Sequence, residues 1–365
     1  MKRAGSLLLI LIAITALVLI DQPGWYTDLR GNDAAPTPAI TESPLRALVV
    51  LPDDGPASIL DEIDAARTSI DLYVYLLPSE DILAALGRAQ ARDVHLRVIL
   101  ERDPFGGGNS NQESFDRLKA MGASVKWAPD QFQFSHIKMF VVDGQTAVIM
   151  TLNLSYSALN LNREFAIITT EQADVEGASR LFQADWSGDD VELAPPFVVS
   201  PETSRTAITD LIDQARTSID VFAEVVRDTQ ARAALIAAAQ RGVVVRVLVP
   251  DRPADDDATI YRALIGGGVQ IRLLADLYSH AKAIIVDGAT AFVGSQNLTA
   301  TSLDDNRELG MMLTEPANLA RLEGTFASDW ANSADFAAQA GARTSRTPAC
   351  LCVTDVYAAG RSTKA

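Results

Sequence analysis

A duplication constrains this chain more than any other feature of it. Ser279-His280-Ala281-Lys282 is followed by Asp287, by Gly294-Ser295-Gln296-Asn297 and by Asn306-Arg307-Glu308. Upstream, Ser135-His136-Ile137-Lys138 is followed by Asp143, by Thr151 and Asn153, and by Asn162-Arg163-Glu164. His136 and His280, Lys138 and Lys282, Asp143 and Asp287, Asn153 and Asn297, and Glu164 and Glu308 are each separated by 144 residues. Ala66-Arg67-Thr68-Ser69-Ile70-Asp71 recurs letter for letter as Ala215-Arg216-Thr217-Ser218-Ile219-Asp220, and Asp185-Trp186 recurs as Asp329-Trp330. A period of this length is a whole domain rather than a solenoid unit. The spacing is 149 early in the repeat and 144 later, so the first copy carries five more residues between Arg97 and His136. Gly106-Gly107-Gly108-Asn109-Ser110-Asn111 is where they are expected.

Within each copy, short apolar runs alternate with amphipathic stretches. In the first, residues 47–51, 69–75, 95–100, 124–127, 137–142, 147–150 and 165–169 read as strands. Residues 57–66, 79–91, 112–121 and 173–185 read as helices, with Ser79 as a cap and Glu80 and Asp81 in the first turn of its helix. Such alternation predicts an α/β fold whose sheets are largely parallel and covered by helices. Pro195-Pro196 marks the boundary, giving domains at 45–190 and 198–332 with a linker at 191–197. Residues 333–365, rich in Ala, Ser and Thr, read as a loosely ordered tail. Its Cys350 and Cys352 are too close for an unstrained bridge and are read as thiols without catalytic duty.

Residues 1–30 read as an export signal or membrane anchor. Lys2 and Arg3 precede an apolar run at 7–20, no clear small-x-small cleavage site follows, and Trp25 and Tyr26 suit a membrane interface. An uncleaved anchor is slightly favoured, residues 31–44 form a linker, and the remainder is expected outside the cytoplasm, as an anchored or secreted protein. The formal net charge of −16 disfavours sequence-independent nucleic-acid binding, which draws its affinity from Lys and Arg on phosphates.

The repeated residues suit phosphoryl chemistry. His136 and Lys138, two apart on one strand, present both side chains on one face, as do His280 and Lys282. Ile137 and Ala281, with Val141 and Ile284, are expected on the opposite side. An ammonium beside an imidazole suits an anionic group, and Asn153 and Asn297 can add amide donors. Packing of the copies about a pseudo-twofold axis would bring both His-Lys pairs into one pocket. One neutral imidazole can then attack phosphorus while the other, protonated, supplies a proton to the leaving oxygen. Each histidine needs a carboxylate to fix its tautomer, and Glu164 and Glu308 are the candidates. This chemistry needs no metal or other cofactor. A lone histidine on a strand is more often a satisfied or surface residue, which is the reading for His95, but two copies in constant register are strong support. Asp143 and Asp287 each precede a Gly and read as structural, in tight turns.

These residues resemble the HxKxxxxD signature of the phospholipase D superfamily, and Gly294-Ser295-Gln296-Asn297 its GSxN element. The resemblance runs from about Ala47 to Trp330. It implies two α-β-α domains with mixed sheets sharing one active site, a phosphohistidine intermediate, and phosphate binding by Asn153, Asn297, Thr151 and Ser295. It also implies that each acid orients the histidine of the opposite copy, Glu164 with His280 and Glu308 with His136, and that His136 is the nucleophile. Met150 stands where the second copy has Gly294, either reshaping the phosphate site or turning into the core. The expected substrate is a phospholipid at a membrane surface, hydrolysed or used in phosphatidyl transfer as in cardiolipin synthases. An exported nuclease is the alternative. Because the chain supplies both copies, it is expected to act as a monomer.

Overall fold

The structure, a computed structural model, describes residues 45–105, 107–251 and 253–336. Residues 1–44, where an export signal or anchor and a linker are expected, and the residues beyond 336, with both cysteines, lie outside the described residues. Among the described residues no helix is long and apolar enough to cross a membrane.

The first copy contains β1 (Arg46–Leu51), α1 (Ala57–Ala65), β2 (Ser69–Val74), α2 (Glu80–Gln90), β3 (His95–Leu100), α3 (Ser110–Ala120), β4 (Ser124–Trp127), β5 (Lys138–Val142), β6 (Thr146–Met150), α4 (Tyr156–Asn160), β7 (Asn162–Thr169) and α5 (Gln172–Ser187). The second contains β8 (Phe197–Ser200), α6 (Ser204–Asp213), β9 (Ser218–Phe222), α7 (Thr229–Gln240), β10 (Val244–Pro250), α8 (Asp255–Gly266), β11 (Gln270–Leu274), β12 (Tyr278–Ser279), β13 (Ala283–Val286), β14 (Thr290–Gly294), α9 (Ala300–Asp304), β15 (Glu308–Leu313), α10 (Pro316–Asn332) and β16 (Ala334–Asp335). Ser79 caps α2 by accepting from the Ile82 amide. Helices α4 and α9 escape a periodicity reading because five residues span barely more than one turn. Ser155 and Thr299 cap them through the amides of Ala158 and Ser302.

Each copy forms a mixed sheet, in the orders β1-β7-β6-β5-β2-β3-β4 and β16-β11-β10-β9-β13-β14-β15-β8. Pairing is parallel where helices cross over, in β2-β3-β4 and β9-β10-β11. It turns antiparallel from β5 and β13 onward. The hairpins cause the change. Asp143 and Gly144 have φ of 54° and 63°, and Asp287 and Gly288 have 54° and 61°, the two left-handed residues that a tight hairpin needs. The Asp143 carboxylate also accepts from the amides of Arg67, Thr68 and Ser69 and from the Thr68 hydroxyl. Asp287 does the same with Arg216, Thr217 and Ser218. Burial opposes ionisation of Asp287, yet these donors hold it down to about 2. The verbatim repeat of Ala-Arg-Thr-Ser-Ile-Asp thus belongs to the hairpin anchor.

Side chains divide into three cores. The outer two cover each sheet on the side of helices α1–α2 or α6–α7. The third joins both copies, uniting Ile137, Met139 and Phe165 with Phe222, Ala281 and Ile285 and with Phe182 of α5 and Phe326 of α10. Burying each such Phe is worth about 1.5–3 kcal/mol, so the copies are held together by an interior rather than a surface contact. Along β13, Ala283 and Ile285 face this shared core while Ile284 faces the outer one. Ile284 therefore lies on the Lys282 side, not opposite it, as a period of two requires.

Two expectations change. Ala334–Asp335 pairs with β11 and Phe336 is buried against Tyr261, so ordered structure continues past 332. The five additional residues are split. Arg97 pairs with Ser124, 27 positions on, and Arg246 with Gln270, 24 on, which places three before β4. The other two fall between β4 and His136, the stretch that carries Phe132 and Phe134.

Candidate active site

The histidine segments cross from one copy to the other. Tyr278 and Ser279 of β12 pair in parallel with Asn162 and Arg163 of β7, and the Ala281 amide donates to the Arg163 carbonyl. Reciprocally, Ser135 bridges Arg307, and the His136 amide donates to the Arg307 carbonyl at 2.8 Å. Each Asn-Arg-Glu strand start is thus the rail on which the other copy's histidine is laid. His136 itself sits just before β5 rather than within it.

Buried ion pairs lock this crossing. Arg307 meets Asp185 through two bonds of 3.0 and 2.9 Å and Glu202 at 2.7 Å. Arg163 meets Asp329 at 2.7 and 2.9 Å and Asp53 at 3.0 Å. The recurring Asp-Trp pairs, unassigned from sequence, supply these acids, while Trp186 lies over Arg97 and Trp330 over Arg246.

The crossing sets the histidine–carboxylate geometry. His136 Nδ1 lies 2.8 Å from Glu308 Oε2. His280 Nδ1 lies 2.6 Å from Glu164 Oε1, an ion-pair distance but off the line of a well-directed hydrogen bond. Both carboxylates are fully enclosed. Glu308 also accepts from Ser302 and Asn306, and Glu164 from Thr151. Lys138 and Lys282 each donate to the carbonyl of their own histidine.

Their electrostatics show one shared pocket. Burial pushes His136 down to about 4, against the pull of Glu308 and with the help of Lys138 and Lys282. Burial likewise pushes Lys138 down to about 7, with Glu308 opposing and the charge of Lys282 adding. Burial would raise Glu308, but His136 and Lys138 hold it below the usual carboxylate range. A neutral His136 that donates its Nδ1–H to Glu308 would turn the Nε2 lone pair away from that carboxylate.

The remaining expected residues divide. Asn153 and Asn297 keep carbonyl oxygens that are buried and without a hydrogen-bond partner. Thr151 and Ser295, expected to bind phosphate, are fully enclosed. Thr151 donates to Glu164 and accepts from the Phe165 amide, and Ser295 accepts from the Leu309 amide. Met150 turns into the outer core of the first copy. In the second copy, a Cβ on Gly294 would come within 2.8 Å of the Phe292 ring and 2.5 Å of the Gly310 backbone. One Phe ring over two glycines replaces the Met. Asp143 and Asp287 lie in the hairpin turns, outside the pocket.

Sequence reasoning missed Glu224, just past β9. Its Oε2 lies 3.1 Å from Lys282 Nζ and 3.7 Å from His280 Nε2, and its Oε1 accepts from the Tyr278 hydroxyl at 3.2 Å. The equivalent position, 149 residues earlier, is Tyr75. That ring meets His136 edge-on at 4.6 Å and lies 5.0 Å from Lys138 Nζ. Aligning the copies was the one available signal, since it sets an acid against an aromatic directly after matched strands.

Two α/β repeats that exchange their histidine segments around one pocket define the architecture of the phospholipase D superfamily. The chain matches the family model described as cardiolipin synthase, PLD-like domain, over residues 59–186 and 208–330, once per copy, and belongs to that family. Cardiolipin synthase of Listeria welshimeri is 24% identical over 321 residues, covering 74% of this chain and 66% of that protein. Cardiolipin synthase of Geobacillus thermodenitrificans is 25% identical over 322 residues, covering 75% and 64%. The chain thus spans just under two thirds of the length of these relatives. Among solved structures, phosphatidylserine synthase of Haemophilus influenzae matches with a TM-score of 0.59 at 15% identity, over 78% of this chain and 85% of that one. Polyphosphate kinase of Porphyromonas gingivalis matches with 0.62 at 16% identity, over 78% and 50%. At these identities the likeness is one of fold.

Proposed function

We propose that this chain cleaves phosphodiesters of phospholipids through a phosphohistidine, passing the phosphatidyl group to water or to an alcohol. The observation that carries the reading is the pair of crossed histidine–glutamate contacts, His136 with Glu308 and His280 with Glu164. Two oriented imidazoles in one pocket with two ammonium groups suit a two-step displacement at phosphorus. Lys138 and Lys282 would hold the phosphoryl oxygens, with Asn153 and Asn297 beside them.

A lipid substrate is favoured by the relatives named above and by exposed apolar side chains on segments next to the site residues. Among the described residues, four of the exposed large hydrophobics adjoin site segments. Phe105 is joined through its amide to the Tyr75 hydroxyl, Tyr156 opens the helix that follows Asn153 and Leu161 follows its end, and Tyr278 precedes His280 by two. Apolar side chains around a phosphate pocket suit acyl chains at an interface. The net charge of −16 disfavours a polyanionic polymer. The apolar run at 7–20 supports work at the outer face of a membrane, anchored or secreted.

The test is incubation of the full chain with phosphatidylglycerol vesicles, phosphatidylcholine vesicles and single-stranded DNA, each with chelator. Released headgroup or newly formed cardiolipin supports the proposal, and chelator leaves the rate unchanged. Degradation of DNA with both lipids inert refutes it.

A further inference from the structure

The two histidines are alike at Nδ1 and unlike at Nε2, the nitrogen that faces the reaction. At His280, Glu224 Oε2 stands 3.7 Å from Nε2 while Glu164 stands 2.6 Å from Nδ1. Lys282, 3.1 Å from Glu224, and Tyr278, whose ring stacks at 6.4 Å, also lie beside this ring. At His136, Glu308 occupies Nδ1 and the ring meets Tyr75 edge-on, while Lys138 donates to the backbone carbonyl and the charges of Lys138 and Lys282 act on the imidazole. Among the described residues, no acid other than Glu308 lies at ion-pair distance from His136.

We infer that Glu224 is a positioning residue that keeps a proton on Nε2 of His280, turned toward the leaving oxygen, opposite the nucleophile expected at His136. The inference rests on the phosphodiester reading above and adds Glu224 to it. A neutral imidazole carries one N–H, so with a carboxylate at each nitrogen either tautomer would turn a lone pair toward a negative charge. The imidazolium satisfies both. At 3.7 Å the Glu224 contact is electrostatic rather than a hydrogen bond, so the proton on Nε2 is held without being locked and can pass to an entering oxygen. Glu224 itself stays ionised: burial would raise it, but Lys282 and His280 hold it well below the ordinary carboxylate range. At His136, Tyr75 stands at the position matched to Glu224, and burial pushes the ring down against the pull of Glu308.

The steps balance on these two rings. The Nε2 lone pair of His136 forms a bond to phosphorus as the bond from phosphorus to the leaving oxygen breaks, and that oxygen takes the Nε2 proton of His280. His280, now neutral, removes a proton from water or an alcohol. The new oxygen bonds to phosphorus, the P–N bond breaks, and its electron pair returns to His136.

The test compares wild type with Glu224→Gln on two diesters that share a phosphoryl group, one leaving as p-nitrophenolate and one as an alkyl alcohol. The first needs no proton to leave and is read as the p-nitrophenol burst. The alkyl rate is expected to fall on the order of a hundred- to ten-thousand-fold, and the burst by less than about tenfold. A merely structural role would lower both alike. Wild-type enzyme charged with labelled diester and quenched in detergent at alkaline pH, where the P–N bond survives, provides a second measurement, with label expected on the peptide carrying His136. Equal losses for both diesters, an alkyl rate that does not fall, or label on His280 overturns the inference while leaving the phosphodiester reading intact. Wild type inert toward both diesters would instead refute that reading, and the inference with it.

Discussion

Removing the Asp185 carboxylate should show how the two copies are held in register. Asp185 and Arg307 are 2% and 3% exposed and joined by two bonds of 3.0 and 2.9 Å. Burial pushes Asp185 up although Arg307 pulls it down, while Arg307 is raised by the same partner against its own burial. The geometry decides between these opposed directions: the guanidinium cannot discharge, so Asp185 stays ionised beside it. A carboxyl raised above its unfolded value contributes most below that value and loses the contribution as pH rises. At neutral pH its ionisation is therefore a cost that the arginine offsets. Two consequences follow from the rule that breaking a buried pair costs about 3–5 kcal/mol whereas apolar replacement of both partners is often neutral. Asp185→Ala should lower Tm by about 6 to 20 °C, using the roughly 2–4 °C per kcal/mol that holds for domains of about 150–250 residues. Asp185→Leu with Arg307→Met should recover most of that loss. The assay is a thermal melt of the full chain at pH 7 followed by circular dichroism. A single-variant shift under about 2 °C, or a double variant no more stable than the single, would show that the pair does not hold the copies together.

His136→Asn and His280→Asn should each lower turnover of an alkyl phosphodiester at least a hundredfold, and a rate near wild type in either would end the two-histidine scheme. His136 is pushed down to about 4, so it is charged below that pH and neutral above, and the acidic limb of kcat/KM should lie near 4 rather than near the ordinary histidine value of about 6.5. Lys138, pushed down to about 7, loses its charge as pH rises through 7, so inhibition by sulfate should weaken above neutrality, and sulfate inhibition constants at pH 6 and 8 check the sign. The matched positions 150 and 294 should follow opposite rules in melts: Met150→Ala opens a cavity at about 2–5 kcal/mol, and Gly294→Ala overpacks Phe292 at about 1–3 kcal/mol. Tolerance of both would mean that the two pockets are not alternative packings of one space.

Duplication made much of this molecule legible. His136, Lys138, Asn153 and Glu164 stand out because each has a twin at constant distance, and shared function preserves spacing better than it preserves packing. Asp143 and Asp287 read correctly as turn residues because Asp-Gly after an apolar run has a local cause. What depends on the other copy was illegible. Thr151 has an open-pocket residue type, yet its hydroxyl is spent on Glu164, and nothing local says so. Asp185 and Asp329 recurred in plain view, but their partners, Arg307 and Arg163, lie 122 and 166 residues away. The parallel part of each sheet was visible in its strand–helix alternation, whereas the length of the antiparallel part depends on strands that pair across β1 and β8.

The fusion of the copies is what lets their differences matter. If two identical chains met about a true twofold axis, each histidine would have the same neighbours, and either could serve as nucleophile or acid. Here the strands cross in the same way on both sides, yet Tyr75 faces Glu224, Ala158 faces Ser302 and Met150 faces Gly294 at matched positions. Glu308 consequently accepts from both Ser302 and Asn306, whereas Thr151 is the side-chain hydroxyl donating to Glu164. The better-held carboxylate is the one behind His136, and the additional carboxylate is the one in front of His280. Both asymmetries act in one direction: the first steadies a neutral ring with its lone pair forward, and the second favours a charged ring with its proton forward. A duplication that began by making the histidines equivalent has, in this chain, surrounded them so that they are not.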